Sequence, residues 1–222
     1  MTVSFMRKAF VLVLLAGAAW AEAPATIPLP KPATTGGMPL MQALSARKSA
    51  REFSPEKLSS QALSSLLWAA YGVNRPDGRR TAPSASNRQT IDIYAVLPEG
   101  VYLYIAKEHR LDLVVSGDLR AATGVQPFVA QAPLNLVFVA DYARMSEMPE
   151  MTKMLYSAAE TGSIGQNVYL YCASEGFSAV IRAMVNREAL AKALNLRPDQ
   201  KIMLSQTVGY PSRAPAGKKG AN

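Results

Sequence analysis

The stretch from Ile91 to Ile105 constrains the fold of this chain more than any other. Ile91, Ile93, Ala95 and Leu97 alternate with polar or aromatic residues, Pro98-Glu99-Gly100 supplies a turn, and Val101, Leu103 and Ile105 alternate back. Successive side chains of a strand point to opposite faces, so the pattern predicts an antiparallel hairpin with one face against a core. An antiparallel pair this early argues against a doubly wound parallel sheet. Helical patterns interleave with further strands. Ser59–Tyr71 places Leu63, Leu66, Leu67 and Ala70 at helical spacing and ends at Gly72. Met151–Glu175 is the longest helical run, with Gly176 as its stop, and Arg187–Leu194 is a third helix. Leu134–Ala140, Phe177–Ile181 and Ile202–Val208 read as strands. The expected class is α+β, a mixed central sheet flanked by helices.

The chain ends read differently from its middle. Arg7-Lys8 precedes an uncharged, largely apolar run from Ala9 to Ala21, closed by Ala19-Trp20-Ala21 ahead of Glu22. That run is shorter than the roughly 20 residues a spanning helix needs. Residues 1–21 therefore read as a cleavable signal peptide, with an uncleaved tether as the alternative. The expected location is periplasmic or secreted, with no transmembrane helix in the mature chain. Residues 22–39 hold Pro24, Pro28, Pro30, Pro32 and Pro39 with Gly36-Gly37, and read as a solvated, extended linker. Residues 40–213 form the expected domain, and 214–222 a loose basic tail.

Composition removes several chemistries. One cysteine, Cys172, and one histidine, His109, rule out an intrachain disulfide framework and every multi-histidine metal site; no metal is expected. His109 sits in Lys107-Glu108-His109-Arg110, a charged turn after a strand, and reads as an exposed loop residue. Cys172 lies mid-helix and reads as a buried, inert thiol. Met145, Met148, Met151 and Met154 recur at helical spacing and read as packing at a subunit interface or a mobile lid rather than as soft-metal ligands. Ser45-Ala46-Arg47-Lys48 and Ser54-Pro55-Glu56-Lys57 match S-x-x-K, but neither S-D-N nor K-T-G follows, and G-x-S-x-G, Walker A and G-x-G-x-x-G are all absent. The net charge of +8 comes from scattered lysines and arginines, and reads as a solvated surface without a nucleic-acid partner.

Three stretches carry the functional signal together: Arg47-Lys48-Ser49-Ala50-Arg51-Glu52-Phe53; Arg80-Thr81-Ala82-Pro83-Ser84-Ala85-Ser86-Asn87-Arg88-Gln89; and Gly162-x-x-x-Gln166-Asn167 followed by Glu175-Gly176-Phe177 and Val208-Gly209-Tyr210-Pro211. Alone, the first also reads as a solvated basic helix end and the second as a turn with Asn87 capping a short helix. In order and spacing the set resembles the nitroreductase superfamily of FMN-dependent oxidoreductases. Trp68-Ala69-Ala70-Tyr71-Gly72-Val73-Asn74-Arg75 with Arg80-Thr81-Ala82-Pro83-Ser84 is most similar to its thiazoline/oxazoline dehydrogenase branch.

The resemblance implies a homodimer with FMN as cofactor and a two-step transfer of hydride or electrons between a small-molecule donor and acceptor. The flavin N5 carries the chemistry, so no catalytic side chain is expected. Arg47 and Ser49 would hold the phosphate and ribityl chain, Lys48 would offer its backbone, and Arg51 would stand near the pyrimidine edge. Bidentate arginine and a hydroxyl suit a phosphate. Pro83, Ser84, Ala85 and Asn87 would come from the partner subunit, Ile181, Arg182 and Ala183 would lend main chain, and Arg213 would be a second phosphate cation. The alternative is a non-catalytic flavin- or ligand-binding envelope protein on the same fold.

Overall fold

The computed structural model describes residues 23–212. The hairpin forms at its expected place, as β2 (Ile91–Leu97) and β3 (Gly100–Ile105), with Tyr94 opposite Leu103 and Leu97 opposite Gly100. They belong to a seven-stranded sheet that also contains β1 (Thr26–Pro28), β4 (Arg110–Ser116), β5 (Leu134–Asp141), β6 (Ser178–Arg182) and β7 (Gln200–Gly209). The order across the sheet is β1-β4-β3-β2-β5-β7-β6. Every described pairing is antiparallel, so the α+β class holds and the mixed sheet does not. Hairpin turns and the antiparallel return of β6 onto β7 leave no parallel crossover in the sheet.

The side-chain period of two sorts the strands into two cores. Ile91, Ile93 and Ala95 of β2 join Leu134, Leu136 and Phe138 of β5 on one face. That face is covered by α2 (Ser60–Tyr71) and α4 (Glu150–Glu175). Tyr94 and Val96 join Val137 and Val139 on the other, under Leu190 and Leu194 at α5 (Arg187–Ala193). Covered on both faces, β5 is buried at every position, which is why its sequence is apolar except at Asn135 and Asp141, both of which are hydrogen-bonded. Each such large side chain contributes about 1.5–3 kcal/mol on burial.

The helix ends follow their caps. The Ser59 side chain accepts from the Ala62 amide at 3.1 Å and starts α2. Gly176 closes α4 in the left-handed region (φ +75°), where its own amide and that of Phe177 both donate to the Cys172 carbonyl. Cys172 is buried, and burial pushes its thiol pKa upward, as an inert thiol requires.

Two further expectations fail. The proline-rich segment before residue 40 is extended but not a solvated linker. Thr26–Pro28 adds an edge strand to β4, the Leu29 amide donates to the His109 carbonyl, and the Ala33 amide donates to Ser65 Oγ at 3.0 Å. Ser64 Oγ and Gln61 Nε2 donate to the carbonyls of Pro30 and Lys31. Prolines lack donors but keep their acceptors, and an edge strand needs only one bonded side. His109 is not an exposed loop residue either. At φ +49° its ring turns back between Ser64 Oγ (2.7 Å) and Tyr104 Oη (2.9 Å), and burial lowers its pKa. The methionines divide: Met145 is buried in the core, whereas Met151 and Met154 stand exposed at the start of α4.

Candidate functional site

Helix α1 (Leu40–Ala46) ends where Arg47 leaves helical geometry, and the chain runs on extended beside β6. Strand β6 is the last of the sheet, so its outer edge presents unpaired backbone groups. The Ala50 amide donates to the Ala179 carbonyl at 2.9 Å, Ser54 N donates to Tyr210 O at 2.9 Å, and Phe53 bridges to Pro211. The edge thereby fixes the position of the Arg47–Phe53 run. Beside it lies a cleft of about 640 Å³, lined by Lys48, Ser49, Arg51, Glu52, Tyr169 and Phe177 among others.

Tyr169, from α4, ties the cleft together. Its hydroxyl lies 2.8 Å from Ser49 Oγ and accepts the Ile181 amide at 2.9 Å, while the Arg47 guanidinium stands 5.3 Å over its ring. Among the described residues Arg47, Lys48 and Arg51 make no ion pair. Lys48 and Arg51 line the cleft with Ser49, Arg47 stands beside it over the Tyr169 ring, and Glu52 is the single carboxylate of the lining. The net positive charge and the serine hydroxyl suit an anionic ligand with further polar groups, such as a phosphorylated polyol.

Pro83, Ser84 and Asn87 lie elsewhere, on a second cleft of about 510 Å³ with Arg75, Arg79 and Arg80. The loop is strained: Ser86, Asn87 and Gln89 have φ of +52°, +54° and +51°. Ala85 starts a short 3-10 turn here. The Asn87 side chain caps no helix; its Oδ1 accepts from Gln89 Nε2 at 3.1 Å.

Glu160 of α4 holds this loop. Buried at 3% exposure, it accepts from Ser84 Oγ at 2.8 Å, Thr90 Oγ1 at 2.9 Å, the amides of Thr90 and Ile91 at 3.4 and 3.3 Å, and the Tyr71 hydroxyl. Burial first, and then the Glu160 charge, raise the Tyr71 pKa, so the phenol stays a donor. Sequence reading missed Glu160 and Tyr169 because each looks like an ordinary position on a long helix.

The remaining expected residues are placed as follows. Ile181 offers its amide to Tyr169 at the β6 edge, and Ala183 follows the last residue of that strand. The Arg182 side chain is buried at 6% exposure and donates to Thr123 O (2.9 Å), Asn135 Oδ1 (3.1 Å) and Thr207 Oγ1 (2.9 Å). Burial lowers its pKa to about 10. Its guanidinium is committed to the fold. Arg213 lies outside the described residues.

The two clefts share no lining residue. Their organisers, Glu160 and Tyr169, stand about 13 Å apart along α4 at 1.5 Å per residue. Within one chain the expected residues thus form two separate groups, one at each cleft.

Comparison with known proteins identifies the family. The family model described as the nitroreductase family matches residues 44–210. A protein named for that family, MJ1384 of Methanocaldococcus jannaschii, is 36% identical over 151 residues, covering 64% of this chain and 76% of that protein. The crystal structure of a candidate nitroreductase from Ralstonia eutropha JMP134 superposes with a TM-score of 0.83 at 48% identity, over 86% of this chain and 91% of that one. An NADPH:FMN oxidoreductase of Vibrio harveyi, in complex with NAD+, shares the fold at a TM-score of 0.58 and 20% identity, over 82% of this chain and 72% of that one. With the family match spanning residues 44–210, and so both clefts and most of the sheet, the chain belongs to the nitroreductase family.

Proposed function

We propose that this protein is an FMN-dependent oxidoreductase that works as a homodimer, each site joining the Arg47–Arg51 cleft of one subunit to the Pro83–Asn87 loop of the other. The observation that carries the reading is the net positive cleft at the β6 edge, lined by Lys48 and Arg51 with Arg47 beside it over Tyr169, none of the three in an ion pair, and with Ser49 already ordered by Tyr169. That donor set fits the phosphate and ribityl hydroxyls of FMN. Arg47 and Ser49 would hold the phosphate and ribityl chain, Lys48 would offer its backbone, and the positive charge of Arg51 would favour a reduced, anionic ring. Bound FMN supplies reversible two-electron chemistry, so the protein needs only to bind, orient and shield. Separate half-sites support the dimer, as do exposed apolar side chains on α1 (Leu40, Met41, Leu44) and at the start of α4 (Met151, Met154, Leu155). Small-molecule donor and acceptor would use the cleft in turn. The likeness of residues 68–75 and 80–84 to azoline dehydrogenases favours that branch, and residues 7–21, outside the described residues, favour export.

Absorption spectroscopy of the purified protein, with mass analysis of the released cofactor and of the mature N-terminus, tests all three parts. We expect about one FMN per chain, as a preformed site implies, a chain beginning at Glu22, and loss of flavin in Arg47→Ala/Ser49→Ala with the dimer intact. Undiminished flavin in that variant would overturn the phosphate assignment. A colourless protein that takes up no added FMN would leave a binding protein on the same fold.

A further inference from the structure

The second cleft holds more positive charge than loop positioning requires. Asn74–Arg79 forms a tight turn: Asn74 N donates to Arg79 O, Gly78 N donates to Arg75 O with Gly78 at φ +78°, and Val73 bridges to Arg80. The turn brings three guanidinium groups to one cavity of about 510 Å³. Each is partly fixed by a neutral group or a single exposed acid. Arg80 donates from Nε to Gln89 Oε1 at 2.8 Å and from Nη1 to Tyr71 O at 3.4 Å, and lies 4.3 Å over the Tyr71 ring. Arg75 donates from Nε to Asn74 Oδ1 and from Nη2 to Arg80 O. Arg79 pairs through Nη1 with Asp77 at 3.3 Å, and Asp77 is half exposed. Among the described residues no carboxylate pairs with Arg75 or Arg80.

Guanidinium groups held by neutral acceptors keep their charge and their free N–H edges. Planar donors fixed in advance match carboxylate and phosphate oxygens better than mobile ammonium groups do. The cavity has the size of a small-molecule site, about 300–1,000 Å³. It also abuts Ser84, Ser86 and Asn87, the strained loop assigned above to the partner's cofactor.

We propose that Arg75, Arg79 and Arg80 form an anion subsite that selects, for the reaction proposed above, small organic substrates bearing a carboxylate or phosphate. The inference rests on that reading for its link to catalysis, but the binding itself does not need it. The anionic group seats among the guanidinium groups, and the rest of the molecule extends along the Ser84–Asn87 loop.

The test is calorimetric titration of the purified dimer with benzoate, phenyl phosphate and the neutral analogue benzyl alcohol, flavin content being read on the same samples. Benzoate, phenyl phosphate or both should bind at least tenfold more tightly than benzyl alcohol, and the tighter of the two identifies the headgroup. Arg75→Gln/Arg79→Gln removes two exposed side chains that the fold does not need, and should weaken that binding about tenfold or more. Lys192→Gln/Lys201→Gln removes two charges outside both clefts and should leave it unchanged. Anions that bind no better than benzyl alcohol, or equally well in the arginine variant, overturn the subsite. Flavin-loaded protein that ignores the charge sinks the subsite alone. Anion binding through these arginines in protein that takes up no flavin sinks the oxidoreductase reading and keeps the subsite.

Discussion

Glu160→Gln is the most informative single change, because it keeps shape and removes one acceptor. Glu160 takes hydrogen bonds from Ser84 Oγ, Thr90 Oγ1 and Thr90 N on Oε2, and from Tyr71 Oη and Ile91 N on Oε1. Glutamine replaces one oxygen with an amide donor. Hydroxyls can rotate away from that donor, but backbone amides cannot. Whichever side the new NH2 occupies, one buried amide, of Thr90 or Ile91, therefore loses its partner. An orphaned buried N–H costs about 1–3 kcal/mol, and the surviving bonds lose their charge assistance, worth up to about 1 kcal/mol more. Relief of the buried charge offsets part of this. The expected net loss is about 2–3 kcal/mol in urea unfolding at pH 7, with faster amide exchange over residues 83–91. A double-mutant cycle with Tyr71→Phe should show coupling of about 1 kcal/mol or more, since the two groups share one bond. A loss below about 0.5 kcal/mol with unchanged exchange would refute the claim that this carboxylate holds the strained loop.

Two further outcomes follow from buried groups elsewhere. The folded pKa of His109 lies below its ordinary value, so its contribution to stability is complete above pH about 6.5 and is lost as pH falls through the lowered folded value. Unfolding midpoints between pH 7.5 and 5 should fall more steeply for the wild type than for His109→Asn, since asparagine tolerates the left-handed backbone there; parallel profiles would remove His109 from the acid response. Gly124→Ala would drive a methyl into Arg182 Nη1, and that guanidinium is pinned by three hydrogen bonds. A loss of about 2–4 kcal/mol is expected by thermal unfolding, and a neutral result would mean that Arg182 is mobile.

What could be read from the sequence was whatever its neighbours in sequence decide. The hairpin carries its alternation and its turn, β5 its apolar run, and α2 and α4 their helical spacing and glycine stops, and their boundaries fall within a residue or two of expectation. The strand Arg110–Ser116 carries alternation too, at Leu111, Leu113 and Val115, but the charged Lys107–Arg110 run obscures its start. The proline-rich segment misled because proline density reports missing donors and says nothing of the acceptors at Pro30 and Lys31 or of the amides that remain at Leu29 and Ala33. His109 misled because three charged neighbours suggest water, whereas one positive φ turns the ring inward. Glu160 could not be read locally at all: its side-chain partners Tyr71, Ser84 and Thr90 lie 89, 76 and 70 positions away.

The position of those non-local groups bears on how the site is built. Both clefts hang from one rigid helix, α4, through Glu160 at one and Tyr169 at the other. A continuous 26-residue helix, packed against α2 and the sheet, fixes their spacing more firmly than any loop does. The loops themselves then need not be intrinsically stable. The Ser84–Gln89 loop keeps three left-handed residues because a buried carboxylate bonds both sides of it. The Arg47–Phe53 run stays extended because an edge strand and a phenol bond it. In a two-fold dimer each interface contact occurs twice, so one such helix per chain would set the spacing at both shared sites. The loops can then vary their side chains, arginines 75, 79 and 80 among them, and change what is bound without changing where it is held.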